Sequence, residues 1–393
     1  MTAPAYGVRF VESMGQIAPA LWDTCFPPPL EGRWFYQALE RCGIEDQFTF
    51  TYAVLYRQNT AVGIAPAFVM NVPIQLVVPP AWLPLFTIPG KVFGSMLYQR
   101  TMFVGCPCAD EGTVGLLPDV DRRAALLALQ DAFEARAREL RAPMLVWKDF
   151  PQACAADLEW LAGKRRLFRM VSFPGTVAEL CGPRKEDYYA SLKGSRRHIL
   201  KKKLRRSAMN AALEIDIAQA PDAGTLAGLY GLYVQTYEKA TTRFEKLNLR
   251  FFEIVAAHPC SRFIILREKS SREMVAFMLC FDMGRRIINK FIGIDYSRPR
   301  DWLLYFRLWE AAVDWALSRG ASSIQSGQTG YAPKIETGHR LAPLTNYCLH
   351  RNALVHRVYR AIAKTIGWHT LDEDLARFLK AHPEAAPSAG PPR

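Results

Sequence analysis

The sequence predicts a mixed α/β fold, of the α+β kind, built as two tandem lobes of similar topology. Three observations carry this. Half of the 393 residues are hydrophobic and 22% are charged, which supports large buried cores and excludes a disordered chain. Apolar runs of period two, bounded by turn residues, alternate with amphipathic helical stretches along the chain. The order hairpin, long helix, buried strand also occurs twice. "LYRQNTAVGIAPAF" leads to "LLALQDAF" and "LVWKD", and "LREKSSREMVAFML" leads to "LWEAAVDWALSRGASSIQSG". The copies share element order rather than residues. The expected division is a first lobe at residues 1–172, a second at 173–370, and a Pro- and Ala-rich tail at 371–393 that is partly disordered.

Taken in order, "YGVRFVES" reads as a strand, and "QIAPALWDTC" and "GRWFYQALERCG" as helices, the second stopped by Gly43. Alternation on both sides of "RQNTA" predicts a β-hairpin. From Asp121, "DRRAALLALQDAFEARARELRA" has apolar residues at helical spacing, an acid at its start and arginines late, which predicts a helix. "PMLVWKDFP" follows as a buried strand. In the second half, "EDYYASLKGSRRHILKKKLRRSAM" is helical and "LEIDIAQA" a strand, with helices at "AGTLAGLYGLYVQTYEKA" and "NLRFFEIVAAH". Residues 261–295 divide into three antiparallel strands at the turns "KSSRE" and "MGRR". "WLLYFRLWEAAVDWALSRG" is a strong helix ended by Gly320. "SSIQSGQ" and "TNYCLHR" are strands, and "ALVHRVYRAIAKTIGW" is the last expected helix.

The formal net charge is +13, and eight cations with no acid sit in the stretch from Tyr188 to Arg206. "GKRRLFR" (Gly163–Arg169) is a smaller cluster. Charge this concentrated predicts an anionic partner: a phosphate-bearing co-substrate, nucleic acid or an anionic membrane. Nine cysteines show no regular framework, and the Cys106/Cys108 pair has no second pair at zinc-ligand spacing. Reduced thiols and no metal site are therefore expected. The opening residues show no basic-then-apolar secretory pattern, so a cytoplasmic protein is expected. Gln58–Gly90 carries no charge, but Pro66, Pro73, Pro79, Pro80, Pro84 and Pro89 interrupt it. It predicts short strands and a Pro-rich loop packed on the core rather than a membrane span. A cover over an apolar substrate and a shallow membrane contact are its alternatives.

At 100° per residue, Tyr188, Leu192 and Ile199 form one stripe of the basic stretch, widened by Tyr189, Leu200 and Leu204. Lys201, Lys202 and Arg205 lie opposite, toward solvent. Arg196 and Lys203 fall inside the apolar sector, where a charge needs a partner or a route to water. They are candidates for holding an anionic substrate group, with Arg243 of "TTRFEKL" as a further contact. Gly194 and Ser195 allow the helix to begin only there.

Four segments carry a family resemblance: "YYASLKGSRRHILKKKLRR", "LYVQTYEKATTRFEKLNLRFFEIVAAHP", "FIGIDYSRPRDWLLYFRLWEAAVDWALSRG" and "SGQTGYAPKIETGHRLAP". The chain resembles the GNAT-type acyltransferase superfamily, and within it the tandem-lobe Fem-like branch and the BioF2-like acetyltransferases of peptidoglycan-biosynthesis type. The resemblance implies two GNAT-like lobes, each a mixed, mostly antiparallel sheet flanked by helices. It also implies an N-acyltransferase that moves an acyl or aminoacyl group directly to an amine. The donor would be a thioester such as acyl-CoA, taken as a co-substrate with no permanently bound cofactor. An aminoacyl-tRNA-dependent transferase, or a non-enzymatic protein binding nucleic acid or a membrane surface, is the alternative. The acceptor would be a small or lipid-linked amine, with tRNA and a peripheral contact at the inner membrane face as open partners.

That resemblance places a donor pyrophosphate at the start of the helix after "INKFIGID", where backbone N–H groups and the helix dipole favour an anion. Ile294, Arg298, Arg300, Trp302 and Leu303 are the expected donor-binding residues, with Asp301 as N-cap. "SRPRDWLL" lacks the glycine-rich run usual there. Transfer to an amine needs a base and a group that protonates or stabilises the leaving group. Candidates cluster in "GQTGYAPKIETGHR": Glu336 or His339 as base, Tyr331 as donor to the leaving group, Lys334 for a carboxylate, phosphate or oxyanion. Asp295 and Tyr296 are alternatives. No comparable helix start stands out in the first lobe, which is expected to be structural or to bind acceptor.

Overall fold

The computed structural model describes residues 6–76, 78, 82–84, 87–88, 97–240 and 243–385. Helices in chain order are α1 (Pro19–Cys25), α2 (Arg33–Arg41), α3 (Arg122–Glu139), α4 (Ala155–Arg165), α5 (Lys185–Ser191), α6 (Gly194–Asn210) and α7 (Ala223–Lys239). They continue with α8 (Leu249–Ala256), α9 (Leu304–Ser318), α10 (Tyr331–Glu336), α11 (Ala353–Ala363), α12 (Trp368–Leu371) and α13 (Glu373–Ala381). Two compact units result. The first comprises Met1–Pro27, Ile44–Pro174 and Pro343–Arg393, the second Pro28–Gly43 and Gly175–Ala342.

The first unit holds β1 (Tyr6–Val11), β2 (Thr49–Arg57), β3 (Thr60–Pro73), β4 (Tyr98–Val104), β5 (Gly115–Leu116), β6 (Met144–Pro151), β7 (Phe168–Val171) and a strand from far along the chain, here β15 (Leu344–His350). Its sheet runs β1-β2-β3-β4-β6-β15-β7, with β5 beside β3. Strands β4 and β6 are parallel, Thr101 opposite Met144 through Val104 opposite Trp147, and the other described pairs are antiparallel. Parallel neighbours need a crossover, and α3 supplies it. Asp121 caps α3 by accepting from the Arg123 and Ala124 amides, and Leu126, Leu129, Phe133 and Ala137 form its buried stripe. The expected hairpin is β2–β3, closing at Arg57 and Thr60 with Gln58 in the left-handed region.

The second unit repeats this layout. Its strands are β8 (Gly175–Glu179), β9 (Leu213–Ala218), β10 (Ser261–Glu268), β11 (Met274–Asp282), β12 (Arg286–Ile294), β13 (Ser323–Gln325) and β14 (Arg340–Ala342). The order β9-β10-β11-β12-β13-β8-β14 matches the first sheet position by position. Again one pair, β12–β13, is parallel, and α9 is its crossover. Val275–Phe281 of β11 is buried without a break, as befits a strand covered on both faces. Leu308, Trp309, Ala312, Val313 and Ala316 of α9 pack in the same core.

Neither unit is a continuous span, which departs from the division at residue 172. Residues 28–43 lie in the second unit, where Phe35 of α2 stacks edge-on to Phe251 of α8 and Lys290 of β12 pairs with buried Glu31 at 2.6 Å. Residues 343–393 lie in the first, because β15 bonds β6 on one side and β7 on the other. Within the expected tail, Asp372 caps α13, which is helical to Ala381. Residues 386–393 lie outside the described residues, as does most of the Pro-rich loop after Pro73. Among the described residues no helix is long and apolar enough to cross a membrane.

Deleting residues 343–393 removes β15 and leaves β6 and β7 without their shared neighbour. Hydrogen exchange of β6 amides should then accelerate by orders of magnitude, while those of β11 in the second unit serve as the internal reference.

Candidate active site

The second lobe's site begins where a pairing stops. β12 and β13 are bonded only from Arg286 to Ile288 and from Ser323 to Gln325. β12 then continues to Ile294, while the chain after Gln325 turns away through Ser326–Gly330 into α10. Phe291, Ile292 and Ile294 are half-buried there, on a strand otherwise central to its sheet.

The turn is held by side chains. Lys334 Nζ donates to the Ser326 carbonyl oxygen, and the fully buried Tyr331 donates its hydroxyl to the Gln328 carbonyl. His339 Nδ1 lies 2.9 Å from the Lys334 carbonyl oxygen, which can only accept, so Nδ1 carries the proton. Nε2 is then the acceptor, 3.0 Å from Ser326 Oγ. Gly338, at φ +88°, lets the chain double back for this contact, and any Cβ there would strike Leu192. Burial, with the Lys334 ammonium nearby, lowers the His339 pKa to about 3. The imidazole, packed on Trp309 at 4.4 Å between ring centres, is therefore neutral. His339, one of the two expected bases, and Tyr331, the expected leaving-group donor, thus brace the turn.

Beside this turn lie Tyr188 of α5 and the first turn of α9. Tyr188 accepts from Trp309 Nε1 at 2.9 Å and donates to the Thr337 carbonyl. Burial pushes its phenol up to about 12, with the Trp309 bond and the Arg196 charge opposing. The Tyr305 hydroxyl is also buried and makes no hydrogen bond of regular geometry, although the Thr337 side chain lies close enough to lower its pKa against the raising effect of burial. Sequence reasoning placed Tyr188 in the apolar stripe and passed over Tyr305 and Ser326. The signal was present for Tyr305, a polar-tipped residue in the first turn of a long helix next to the splayed strand.

The basic stretch is two helices, since Leu192 and Lys193 are extended with ψ 142° and 139°. The break changes the helical phase. Tyr188, Tyr189, Leu192, Leu200 and Leu204 are buried, but Ile199, expected inside, is 49% exposed. Arg196 and Lys203 share the face of Leu200 and Leu204 and are half-buried. Their fates differ. Lys203 Nζ pairs with half-exposed Glu336 and sits 4.3 Å over the Phe306 ring. Arg196 takes no carboxylate among the described residues and stands beside Tyr188. Arg243 donates to the carbonyl oxygens of Ala240 and Glu238 and lies 5.6 Å from the centre of the Tyr237 ring.

The expected pyrophosphate site does not fit its ligand. Arg298 is enclosed by three carboxylates: Asp295 at 2.9 Å, Glu268 at 3.0 Å, and Glu273. Glu273 and Asp295 hold its pKa above the ordinary value. Asp301, expected as N-cap, instead accepts from Asn210 Nδ2 at 2.8 Å, and α9 starts from Leu303 in the left-handed region. The Trp302 and Leu303 amides bond the Pro299 and Arg300 carbonyls, and the Ile294 amide bonds Thr236 Oγ1 at 3.0 Å. Arg300 is exposed. Three acids thus surround Arg298 near the place where an anion would sit. Of the alternatives, Asp295 also accepts from Ser297, and Tyr296 lies under Lys239 at 3.6 Å.

Among the described residues the first lobe shows no open counterpart. The Asp121 carboxylate occupies the start of α3, where an anion would bind. Gly112 is pressed on β6 so closely that a Cβ would lie 2.0 Å from the Lys148 carbonyl oxygen. Beyond it, buried Asp149 holds Lys148 and the Ser172 hydroxyl with its carboxylate, and its amide donates to Asn346 Oδ1 at 2.7 Å. Among the described residues no cluster of three or more His, Cys, Asp or Glu is placed to hold a metal.

Two lobes, each with a parallel strand–helix–strand crossover inside an otherwise antiparallel sheet, define a tandem GNAT-type fold. Residues 183–372 match the FemAB-like family model, described as peptidoglycan biosynthesis/recognition. Over those residues the chain is similar to the Fem-like family, and its fold is that of the tandem GNAT proteins. The structure of FemX superposes with a TM-score of 0.58 at 11% identity, covering 90% of this chain and 100% of that one. A conserved protein of unknown function from Bacteroides thetaiotaomicron gives 0.55 at 11%, covering 87% and 99%. A tandem GNAT protein from the clavulanic acid biosynthesis pathway gives 0.51 at 11%, covering 88% and 99%. At such identities the likeness establishes the fold alone. No curated protein matches the chain in sequence.

The His339 pKa predicts a pH dependence of stability. Its folded value, near 3, lies below the 6.5 of an unperturbed imidazole, so on acidification the unfolded chain binds this proton first. The contribution is complete above about pH 6.5 and is lost as pH falls toward 3. In urea titrations between pH 7 and 4, His339→Gln should flatten the decline seen in the parent protein.

Proposed function

We propose that this chain transfers an aminoacyl group to an amine acceptor that also carries an anionic group, at the second lobe's site. Of the two donors open to the superfamily, an aminoacyl-tRNA ester is favoured over a coenzyme A thioester. The carrying observation is the enclosure of Arg298 by Asp295, Glu268 and Glu273, which withdraws that guanidinium from a diphosphate at the start of α9 and sets three carboxylates near it. The family description points to a peptidoglycan precursor as acceptor, and a donor on tRNA is in keeping with work in the cytoplasm.

The roles fall to side chains outside the network that braces the Ser326–Gly330 turn. Arg196, half-buried and without a carboxylate, receives the acceptor's anionic group. Glu336, half-exposed at the end of α10 and held by Lys203, takes the proton from the attacking amine. A nitrogen–carbon bond forms as the ester carbon–oxygen bond breaks. Tyr305, whose phenol burial pushes up and so keeps protonated, donates to the departing oxygen. Acyl-CoA as co-substrate is the second reading, supported by the dipole of the α9 start alone.

The test offers purified protein charged tRNA or a series of acyl-CoA thioesters, with a peptidoglycan-precursor amine as acceptor. Product by mass spectrometry with charged tRNA, and no thiol release with any thioester, is the expected result. Glu336→Gln should lower kcat about 100-fold or more. Arg196→Ala should raise the acceptor KM about tenfold or more, most of it absent with an acceptor lacking the anionic group. Thiol release from an acyl-CoA, abolished by Arg298→Ala, would overturn the donor assignment.

A further inference from the structure

The outer face of α6 has no task in the chemistry above. Its inner face is fixed by Leu200, Leu204 and Ser207, the last donating to the Trp302 carbonyl oxygen. The 17-residue helix is about 25 Å long. Its exposed side carries Lys201, Lys202, Arg205 and Arg206, and among the described residues none of the four is paired with a carboxylate. By helical angle Met209 falls between Lys202 and Arg205, and it is 86% exposed. Ile199 falls beside Arg206 and is 49% exposed.

We propose that this face seats the protein on an anionic phospholipid surface. Charge complementarity selects an anionic partner, and the two bare aliphatic side chains among the cations select a membrane over RNA. Lysine and arginine stems flanking an inserted Met209 reach up to lipid phosphates, the arrangement of an interfacial helix. A single-strand RNA platform offers a series of aromatic rings for base stacking, whereas the exposed side of α6 carries the lone imidazole of His198. The helix is already folded and packed, so docking orders no backbone. The contact is peripheral, since no described helix spans a bilayer. It is independent of which donor the site uses.

Co-sedimentation of the full chain with vesicles tests this. Binding is expected to phosphatidylcholine vesicles containing about one-third phosphatidylglycerol, not to phosphatidylcholine alone, and it should weaken as salt is raised. Removing each cation should weaken binding about fivefold, so Lys202→Gln with Arg205→Gln should cost about 25-fold. Met209→Glu should weaken binding at unchanged charge on its neighbours, and Met209→Trp should strengthen it. These positions are exposed, and an unchanged thermal midpoint confirms that each variant is folded. Absence of binding to the anionic vesicles, or binding insensitive to all these changes, would overturn the proposal. So would retention of tRNA, lost in the double variant, in protein that ignores vesicles.

Discussion

The second lobe depends on a parallel pairing that ends after three residues. Past Ile288 and Gln325 the backbones of β12 and β13 no longer satisfy one another, and buried polar groups without partners are costly. The structure answers with side chains. Lys334 takes the Ser326 carbonyl, the Lys334 carbonyl takes His339 Nδ1, and Nε2 takes the Ser326 hydroxyl. This closed circuit fixes where α10 begins, and so where Glu336 meets Lys203 across from α6. The residues that looked most chemical in sequence are the ones that hold the turn in place.

Electrostatics separates the two lobes' roles. Both keep a helix start at the crossover, the feature that makes this fold suited to anions, and both surround it with acid. In the first lobe Asp121 caps α3 directly. In the second, Arg298 is drawn into three carboxylates from β10, its turn and the β12 end. The concentrated positive charge lies on α6, with Arg196 and Lys203 half-buried on its inner side and Lys201, Lys202, Arg205 and Arg206 exposed on its outer side.

The repeat of hairpin, helix and strand was legible because each piece is local: β2–β3, α3, β10–β12 and α9 all announce themselves by period and by end residues. Strands β7, β8 and β14 were not, being short and defined by partners far along the chain, and β4, seven residues long, was passed over with the loop that precedes it. The stretch "TNYCLHR" read correctly as a strand, but nothing local says that β15 belongs between β6 and β7. In the site, the inward turn of Arg196 and Lys203 followed from helical angle alone. The loss of Arg298 to Glu268 and Glu273 did not, because those acids lie 30 and 25 residues earlier. Ile199 was misplaced for a related reason: the angle argument assumed one helix where the backbone breaks at Leu192.

The insertion of β15 also sets the order in which the molecule can be finished. β6 and β7 are synthesised by residue 171, but the strand that joins them begins at residue 344. At roughly 5–20 residues per second, the ribosome needs on the order of 10–30 s to supply it. For that interval an apolar strand, with Met144–Trp147 buried in the finished fold, presents an unpaired edge on one side. The chain therefore carries a built-in window of vulnerability to edge-to-edge association, and its yield in a cell is tied to translation speed and chaperone supply as much as to its final stability.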